Sequence, residues 1–280
     1  MKTLNTLKKT TTAALTAASL FTGAAYADVA ANKALVGQAL KELFADKDLS
    51  AIDKYWGDVY IQHNENVPSG TEALKGLVTP DLNAIPFRMI GDGDLVATHS
   101  EYTGFGPVPL IAFDIFRIED GKIVEHWDNM IPKAEPNPSG HTQTDGATEI
   151  TDLDKTEENK ALVVDFVTKV LMNGENVDIT KYINPTSYTQ HNPLVADGLD
   201  GLGAFLAELG KQGISMKYNK IHLVVGEGNF VLTASDGVFG DQPMAFYDLF
   251  RVEDGLIVEH WDVIADMPGS DAPHNEDGKF

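Results

Sequence analysis

The 280-residue chain contains no cysteine. That excludes disulfide staples, thiolate nucleophiles and thiolate metal sites, so stability has to come from packed cores. Positive charge is also scarce: 21 Lys and Arg stand against 42 Asp and Glu, a formal net charge of −21. A surface of that sign repels nucleic acid and anionic membrane, and the surplus carboxylates read as a solvated exterior. There is no phosphate cradle. Gly91-x-Gly93 and Gly226-x-Gly228 lead into strand-like rather than helical sequence. Nor is there a Gly-x-Ser-x-Gly elbow, which argues against a serine nucleophile. What remains is ordinary globular material, 43% hydrophobic with 9% aromatics, enough for a core in each half.

Long apolar runs are missing too. The nearest approach, Ala13 to Ala25, is too short and too rich in Ala and Thr to span a bilayer. Preceded by Lys2, Lys8 and Lys9 and followed by Ala25-Tyr26-Ala27, it reads as a signal peptide over residues 1–27 with an A-x-A cleavage site. The expectation is a periplasmic or secreted protein. Removal of that segment takes three lysines and no acid, moving the charge from −21 to −24.

The organising feature is a repeat. Asp114 to Asp128 returns as Asp248 to Asp262, with differences only at Ile115/Leu249, Ile118/Val252 and Lys122/Leu256. Each copy has two apolar, β-branched and aromatic runs around an Asp-Gly turn, the pattern of a β-hairpin. Upstream, Asn32-Lys33-Ala34-Leu35-Val36 returns as Asn159-Lys160-Ala161-Leu162-Val163. There the apolar spacing predicts an amphipathic helix in both repeats, with Thr156 as N-cap of the second. Short helices are expected around 49–55 and 177–182, then strand-like Tyr60-Ile61-Gln62-His63-Asn64 and Tyr188-Thr189-Gln190-His191-Asn192. Third helices near 71–77 and 199–209 precede strands near 87–91, 95–103 and 110–130, and near 220–225, 230–238 and 244–264. Pro132, Pro136, Pro138, Ser139 and Gly140 mark a polar linker between the repeats. The tail after Pro268 is polar and expected to be mobile. The layout is α+β: in each repeat, helices on one face of a curved antiparallel sheet.

The turn decides which side chains face together. A two-residue Asp120-Gly121 loop would pair Asp114 with Trp127 and leave His126 on the other face. A three-residue Glu119-Asp120-Gly121 loop with Gly in the left-handed position pairs Asp114 with His126. The three-residue loop is preferred because it groups the charges. Asp114, Phe116, Val124, His126 and Asp128 then share a face, and Arg117 and Glu125 lie diagonal on the other. In the second copy Asp248 meets His260, with Asp262 beside them. A carboxylate against an imidazole raises its pKa and sets its tautomer, which equips it for general acid–base work. The same pair could equally be a satisfied structural contact. Trp127 and Trp261 read as packing residues.

The Tyr-x-Gln-His-Asn segment and the closing Asp-x-Phe-Arg-x-Glu-Asp-Gly-x-Ile-Val-Glu-His-Trp-Asp hairpin resemble the SnoaL-like branch of the nuclear transport factor 2-like superfamily. The resemblance covers about 31–131 and 158–265. It implies two tandem cone-shaped barrels, each a curved sheet on three helices around an apolar cavity, over 28–134 and 156–266. Residues 135–155 would be the linker and 267–280 the tail. It also implies aldol-type cyclase or isomerase chemistry without metal or cofactor, although non-catalytic binders share the fold. Carried over by the resemblance, Asp128 and Asp262 are the acidic groups late in the last strand. His63 and His191 are pocket polar groups, and His99 matches a further histidine that Ala234 replaces in the second repeat. On that difference the first repeat is preferred as the active one.

The resulting expectation is a small, mostly apolar carbonyl compound as ligand. His126 would be the acid or base, Asp114 its orienter and Asp128 a second carboxylate, with His63 and His99 polarising the carbonyl. Asp248, His260, Asp262 and His191 are the second set. The alternatives are a binding or dimerisation module, in which the fused halves imitate a homodimer, and a metal-dependent hydrolase using His63, His99, His126 and Asp128. That spacing matches no recognised motif, so neither metal nor cofactor is expected. The two domains should pair with each other, or the chain dimerise. His141 and His274 are expected at the surface, and His222 is read as structural.

Overall fold

The computed structural model describes residues 28–269, 272–273 and 276–280. Residues 1–27, read above as a signal peptide, and His274 lie outside them. In the first repeat, helix α1 spans 28–40 and continues as a π-helical turn, Lys41–Ala45. Then come α2 (Ser50–Tyr55), β1 (Trp56–Gln62), α3 (Glu72–Leu77), β2 (Asn83–Asp92), β3 (Leu95–Thr103), β4 (Leu110–Glu119) and β5 (Lys122–Pro132). The second repeat has α4 (Thr156–Phe166) with its own π-helical continuation Val167–Met172, a 3₁₀ turn at Ile179–Lys181, β6 (Thr189–Gln190) and α5 (Gly198–Lys211). It ends with β7 (Met216–Glu227), β8 (Phe230–Phe239), β9 (Gln242–Glu253) and β10 (Leu256–Asp266).

Each repeat forms one five-stranded sheet, in the orders β1-β5-β4-β3-β2 and β6-β10-β9-β8-β7. The sheets are mixed rather than purely antiparallel, because the edge strands β1 and β6 run parallel to β5 and β10. The chain is thus α+β, with two open sheets carrying helices. Thr156 begins α4 but does not cap it: its hydroxyl donates to the Leu153 carbonyl and accepts from Gly228 N–H.

The hairpin register differs from both candidate loops. The turn is the two-residue Asp120-Gly121, with φ of 49° and 72°, as a type I′ turn demands, and Glu119 pairs with Lys122. A bulge then inserts Val124 between the rungs Ile118–Ile123 and Arg117–Glu125. Beyond it Asp114 lies opposite Asp128, and Phe116 opposite His126. The second hairpin repeats this with Asp254-Gly255, Val258, Asp248 opposite Asp262 and Phe250 opposite His260. One extra residue in one strand shifts the facing by one position, so the acid and histidine still share a side although the pairing is different.

Apolar side chains fall into three layers. Val36, Leu43, Ile52 and Phe116 are among those packed between the first sheet and its helices. Val163, Phe166, Phe246 and Phe250 do the same in the second repeat. A third cluster joins the two sheets, holding Phe113, Ile115 and Trp127 of one with Phe230, Tyr247, Leu249 and Trp261 of the other. Polar contacts between the repeats are reciprocal. Lys33 of α1 reaches Glu227 at 2.7 Å, and Lys160 of α4 reaches Asp92 at 2.6 Å. Asn129 Nδ2 donates to the carbonyls of Ala245 (3.0 Å) and Val263 (2.7 Å).

The linker and the described end of the tail, 276–280, make specific contacts with the two repeats. Arg88 of β2 donates to the carbonyls of Thr144, Asp145 and Ala147. Asn137 Nδ2 donates to those of Gln190 and Val195. In the tail, Phe280 stacks on His222 at 4.1 Å and the Gly278 carbonyl meets His63 Nδ1 at 2.9 Å. Backbone carbonyls do most of this work, and composition does not display them.

Candidate functional site

Each sheet and its helices enclose a cavity, about 350 Å³ in the first repeat and about 710 Å³ in the second. The first is lined by Asp114, His126 and Asp128 with apolar groups such as Leu40, Phe44, Leu74 and Met130. The second is lined by Asp248, His260 and Asp262 among Phe166, Val170, Leu202, Phe239 and Ile264. Carboxylates in such surroundings are costly unless they are hydrogen-bonded or share protons.

The bonds are nearly the same in both cavities. His260 Nε2 lies 3.1 Å from Asp248 Oδ1, and His126 Nε2 lies 3.3 Å from Asp114 Oδ1. The other ring nitrogen, Nδ1, stands 2.9 Å from Gln190 Oε1 or Gln62 Oε1. Gln190 Oε1 also accepts the N–H groups of His191 and Asn192, which marks that atom as the acceptor. His260 therefore carries a proton on Nδ1, and its Nε2 shares one with Asp248. Asn192 Nδ2 donates to both oxygens of Asp262, at 3.0 and 2.7 Å, and Asn64 Nδ2 donates to Asp128 Oδ2 at 2.7 Å. Asp128 Oδ1 is buried without a hydrogen bond.

Strand alternation assigns the Tyr-x-Gln-His-Asn segment differently from the expectation. Tyr60, Gln62 and Asn64 line the cavity, as do Tyr188, Gln190 and Asn192, so the intervening His63 and His191 face outward. His63 Nε2 meets Glu125 at 2.8 Å and its ring stacks on Trp127. His191 meets Glu259 at 3.0 Å and stacks on Trp261. His99 is likewise turned away. Its neighbours Thr98 and Ser100 sit on the cavity face, where Thr98 Oγ1 donates to Asp114 at 3.1 Å. His99 itself is buried against Phe113 and Arg88. Burial first, then the Arg88 charge, hold its pKa well below the usual histidine value. His63, His99 and His191 are thus corrected from cavity groups to groups of the opposite faces, and the preference for the first repeat that rested on His99 falls with them.

Two tyrosines were not anticipated. Tyr102 OH donates to Asp114 Oδ2 at 2.9 Å, and Tyr218 OH to Asp248 Oδ2 at 3.1 Å. They do the same job from non-equivalent strands, β3 and β7, so comparing the repeats in register hides them. Gly237 stands at the position matching Tyr102. A Cβ there would come 2.9 Å from Tyr218 Cα and 2.8 Å from Phe246, so the strand carrying Tyr218 leaves no room for a second tyrosine.

Burial, the largest influence, pushes the Asp262 carboxyl up to about 6, with the Asp248 charge adding to it. For His260 burial pulls downward, but Asp248 and Asp262 outweigh it and the net direction is up. Tyr188 and Tyr218 are driven upward by burial, so both stay protonated donors. One donor atom from each of Asp248, His260 and Asp262 lies within 4.8 Å of the others, as with Asp114, His126 and Asp128. Both carboxylates of the second trio already accept from Tyr218 and Asn192, so these groups are supplied with donors from the protein itself.

Residues 38–126 match the family profile described as "SnoaL-like domain", and the second repeat has the same strand order and the same hairpin. No curated protein matches the chain significantly. Similar solved structures each span about one repeat. TsrD from Streptomyces laurentii is 23% identical over 35% of this chain and 89% of its own, with a TM-score of 0.31. IdmH from Streptomyces antibioticus, a putative polyketide cyclase, is 22% identical over 35% and 91%, at 0.30. An LEH-like epoxide hydrolase from M. tuberculosis is 21% identical over 37% and 84%, at 0.32.

Proposed function

We propose that this is an exported protein whose cavities bind a small, mostly apolar carbonyl compound and move a proton on it without a cofactor. The observation that carries this reading is the pair Asp248 and Asp262 facing each other beside His260 at the wall of an apolar cavity, with Asp262 held up to about 6. A base is most effective when its pKa lies near the working pH. Asp262 would take the proton from the carbon next to the carbonyl. Tyr188 OH accepts from Gln190 Nε2 at 3.1 Å, and its own proton has no acceptor among the described residues. It would donate to the carbonyl oxygen, where charge develops. His260, with Nδ1–H tied to Gln190, would relay a proton through Nε2 and Asp248. The enolate carbon then attacks a second carbonyl, whose π electrons move to its oxygen and take up the proton held by Asp262, as in an aldol, or the enolate takes that proton back at another carbon, as in an isomerisation.

The second cavity is the favoured site on volume, since about 710 Å³ suits a cyclic or bicyclic ligand better than about 350 Å³. The two halves would pair within the chain through the layer that joins their sheets. A panel of small ketones, enones and epoxides tests the reading, with the wild-type chain beside His260→Ala and His126→Ala. Turnover lost in His260→Ala supports the second cavity, and loss only in His126→Ala moves the chemistry to the first. Binding without turnover, unchanged in either variant, leaves a binding module.

A further inference from the structure

Outside the cavities, the linker brings a second set of ligating groups together. His141, Asp145 and His191 each place a donor atom within 4.8 Å of the others. Both imidazoles turn Nδ1 to the Asp145 carboxylate, His191 at 2.8 Å from Oδ1 and His141 at 3.5 Å from Oδ2. Both turn Nε2 to a further carboxylate, His191 to Glu259 at 3.0 Å and His141 to Asp197 at 3.1 Å. A neutral imidazole has one N–H. With those protons on Nε2, two Nδ1 lone pairs and a carboxylate face one another, and the Thr142 carbonyl adds a fourth acceptor 2.9 Å from His191 Nδ1. Arg88 acts on Asp145 through its charge, but its N–H groups go to backbone carbonyls and His99, and no lysine or arginine forms an ion pair with the carboxylate among the described residues. Such a set of acceptors calls for a cation.

We propose that His141, Asp145 and His191 bind a divalent transition-metal ion of the zinc type, with a fourth position left to water or a backbone carbonyl. A histidine that ligates through one nitrogen and donates from the other to a carboxylate is the usual second-shell arrangement of metal sites, and here both histidines have it. Tetrahedral ligands at zinc bond lengths sit about 3.3 Å apart, inside the range these atoms span. Two imidazoles and one carboxylate favour zinc, copper, nickel or cobalt over magnesium or calcium.

The surroundings are built rather than loose. Glu259 is gripped by Arg251 Nε at 2.6 Å, and Asp197 Oδ1 accepts Gln190 N–H at 2.9 Å. The Asp145 carbonyl is held by Arg88 and by Trp261 Nε1. Gly146 takes φ of +93°, and a Cβ there would come 2.1 Å from Glu259 Oε1, so the loop needs glycine at this point. His141 and Asp145 are partly exposed, at 34% and 44% of their side chains, which leaves an entry path. In the first repeat His63 has the same two bonds, to Glu125 through Nε2 and to a backbone carbonyl, Gly278, at Nδ1, but no second histidine and no carboxylate joins it at Nδ1 among the described residues. The expectation is one ion per chain. It would staple the linker to the second domain in a protein that has no cysteine for the purpose.

The test is a calorimetric Zn²⁺ titration of the chelator-stripped chain, with thermal melts run with and without zinc. His141→Ala and Asp145→Asn are the variants, because both positions are partly exposed and circular dichroism can confirm that each folds. The expected result is one tight equivalent and a raised Tm in the wild type. Both variants should bind at least about tenfold more weakly, a loss at the modest end for a metal site, and show a smaller rise in Tm. Absence of binding to the wild type would overturn the proposal. So would an equivalent kept with unchanged affinity in both variants, since that ion would sit elsewhere, for instance on Asp248, His260 and Asp262.

Discussion

Asp262 carries the sharpest residue-scale consequence. Its folded pKa, about 6, lies above the unfolded value, so the native state holds its proton over a range where the unfolded chain has released it. Its stabilising contribution is full at low pH and declines as pH rises from about 4 to about 6. His260, also raised, has the same sign and loses its contribution as pH rises through its folded pKa. Asp262→Asn keeps the shape and removes the titration. Relative to wild type, this variant should gain stability between pH 4 and 7, by roughly 2–3 kcal/mol for a shift of this size. Urea unfolding of both proteins across that range measures it, and a pH-independent difference would contradict the assignment. Residue identity alone did not reveal this environment. The sequence shows that His260 neighbours two acids on its hairpin, but the Tyr218 contact comes from a strand whose repeat partner carries no tyrosine.

At the scale of elements, the hairpins carry the site, and each holds a bulge. Val258 is the extra residue of the second. Its deletion should remove the bulge and leave Glu259 opposite Arg251 and His260 opposite Phe250, so His260 stays on the Asp248 side. Ligand binding in the second cavity should then be retained, with only a modest change in the urea midpoint, and loss of binding would show that the bulge itself sets the site. The turn makes a second case. Gly255 sits at φ of 76°, with open space where a Cβ would stand. Gly255→Ala should therefore cost only the left-handed backbone term, about 1–2 kcal/mol, and leave binding intact. Much of this was legible beforehand. Apolar alternation and the Asp-Gly turns place both hairpins, and α1 and α4 follow from their helical spacing. The bulge was not legible, because Val124 and Val258 look like any other strand valine. Period-two alternation also explains the misplaced histidines: once Tyr60, Gln62 and Asn64 face the cavity, His63 must face away. The same parity at Thr98 and Ser100 turns His99 outward.

For the molecule as a whole, the layer between the sheets and the reciprocal pairs Lys33–Glu227 and Lys160–Asp92 tie the two repeats together. A chain built this way should unfold in one calorimetric transition, with equal calorimetric and van't Hoff enthalpies. Two resolved transitions would mean that the repeats are energetically independent. The repeat itself was plain in the sequence, whereas this layer was not, since Phe113 and Tyr247 look like residues of separate cores. The central claim concerns the chemistry of the larger cavity. The measurement that tests it most directly is turnover of a ketone and enone panel by the wild-type chain beside Asp262→Asn, with ligand binding measured in parallel. The account predicts turnover in the wild type and a loss of about 100-fold or more in the variant, with binding retained. Equal turnover in the two proteins, or binding with no turnover in either, would contradict it.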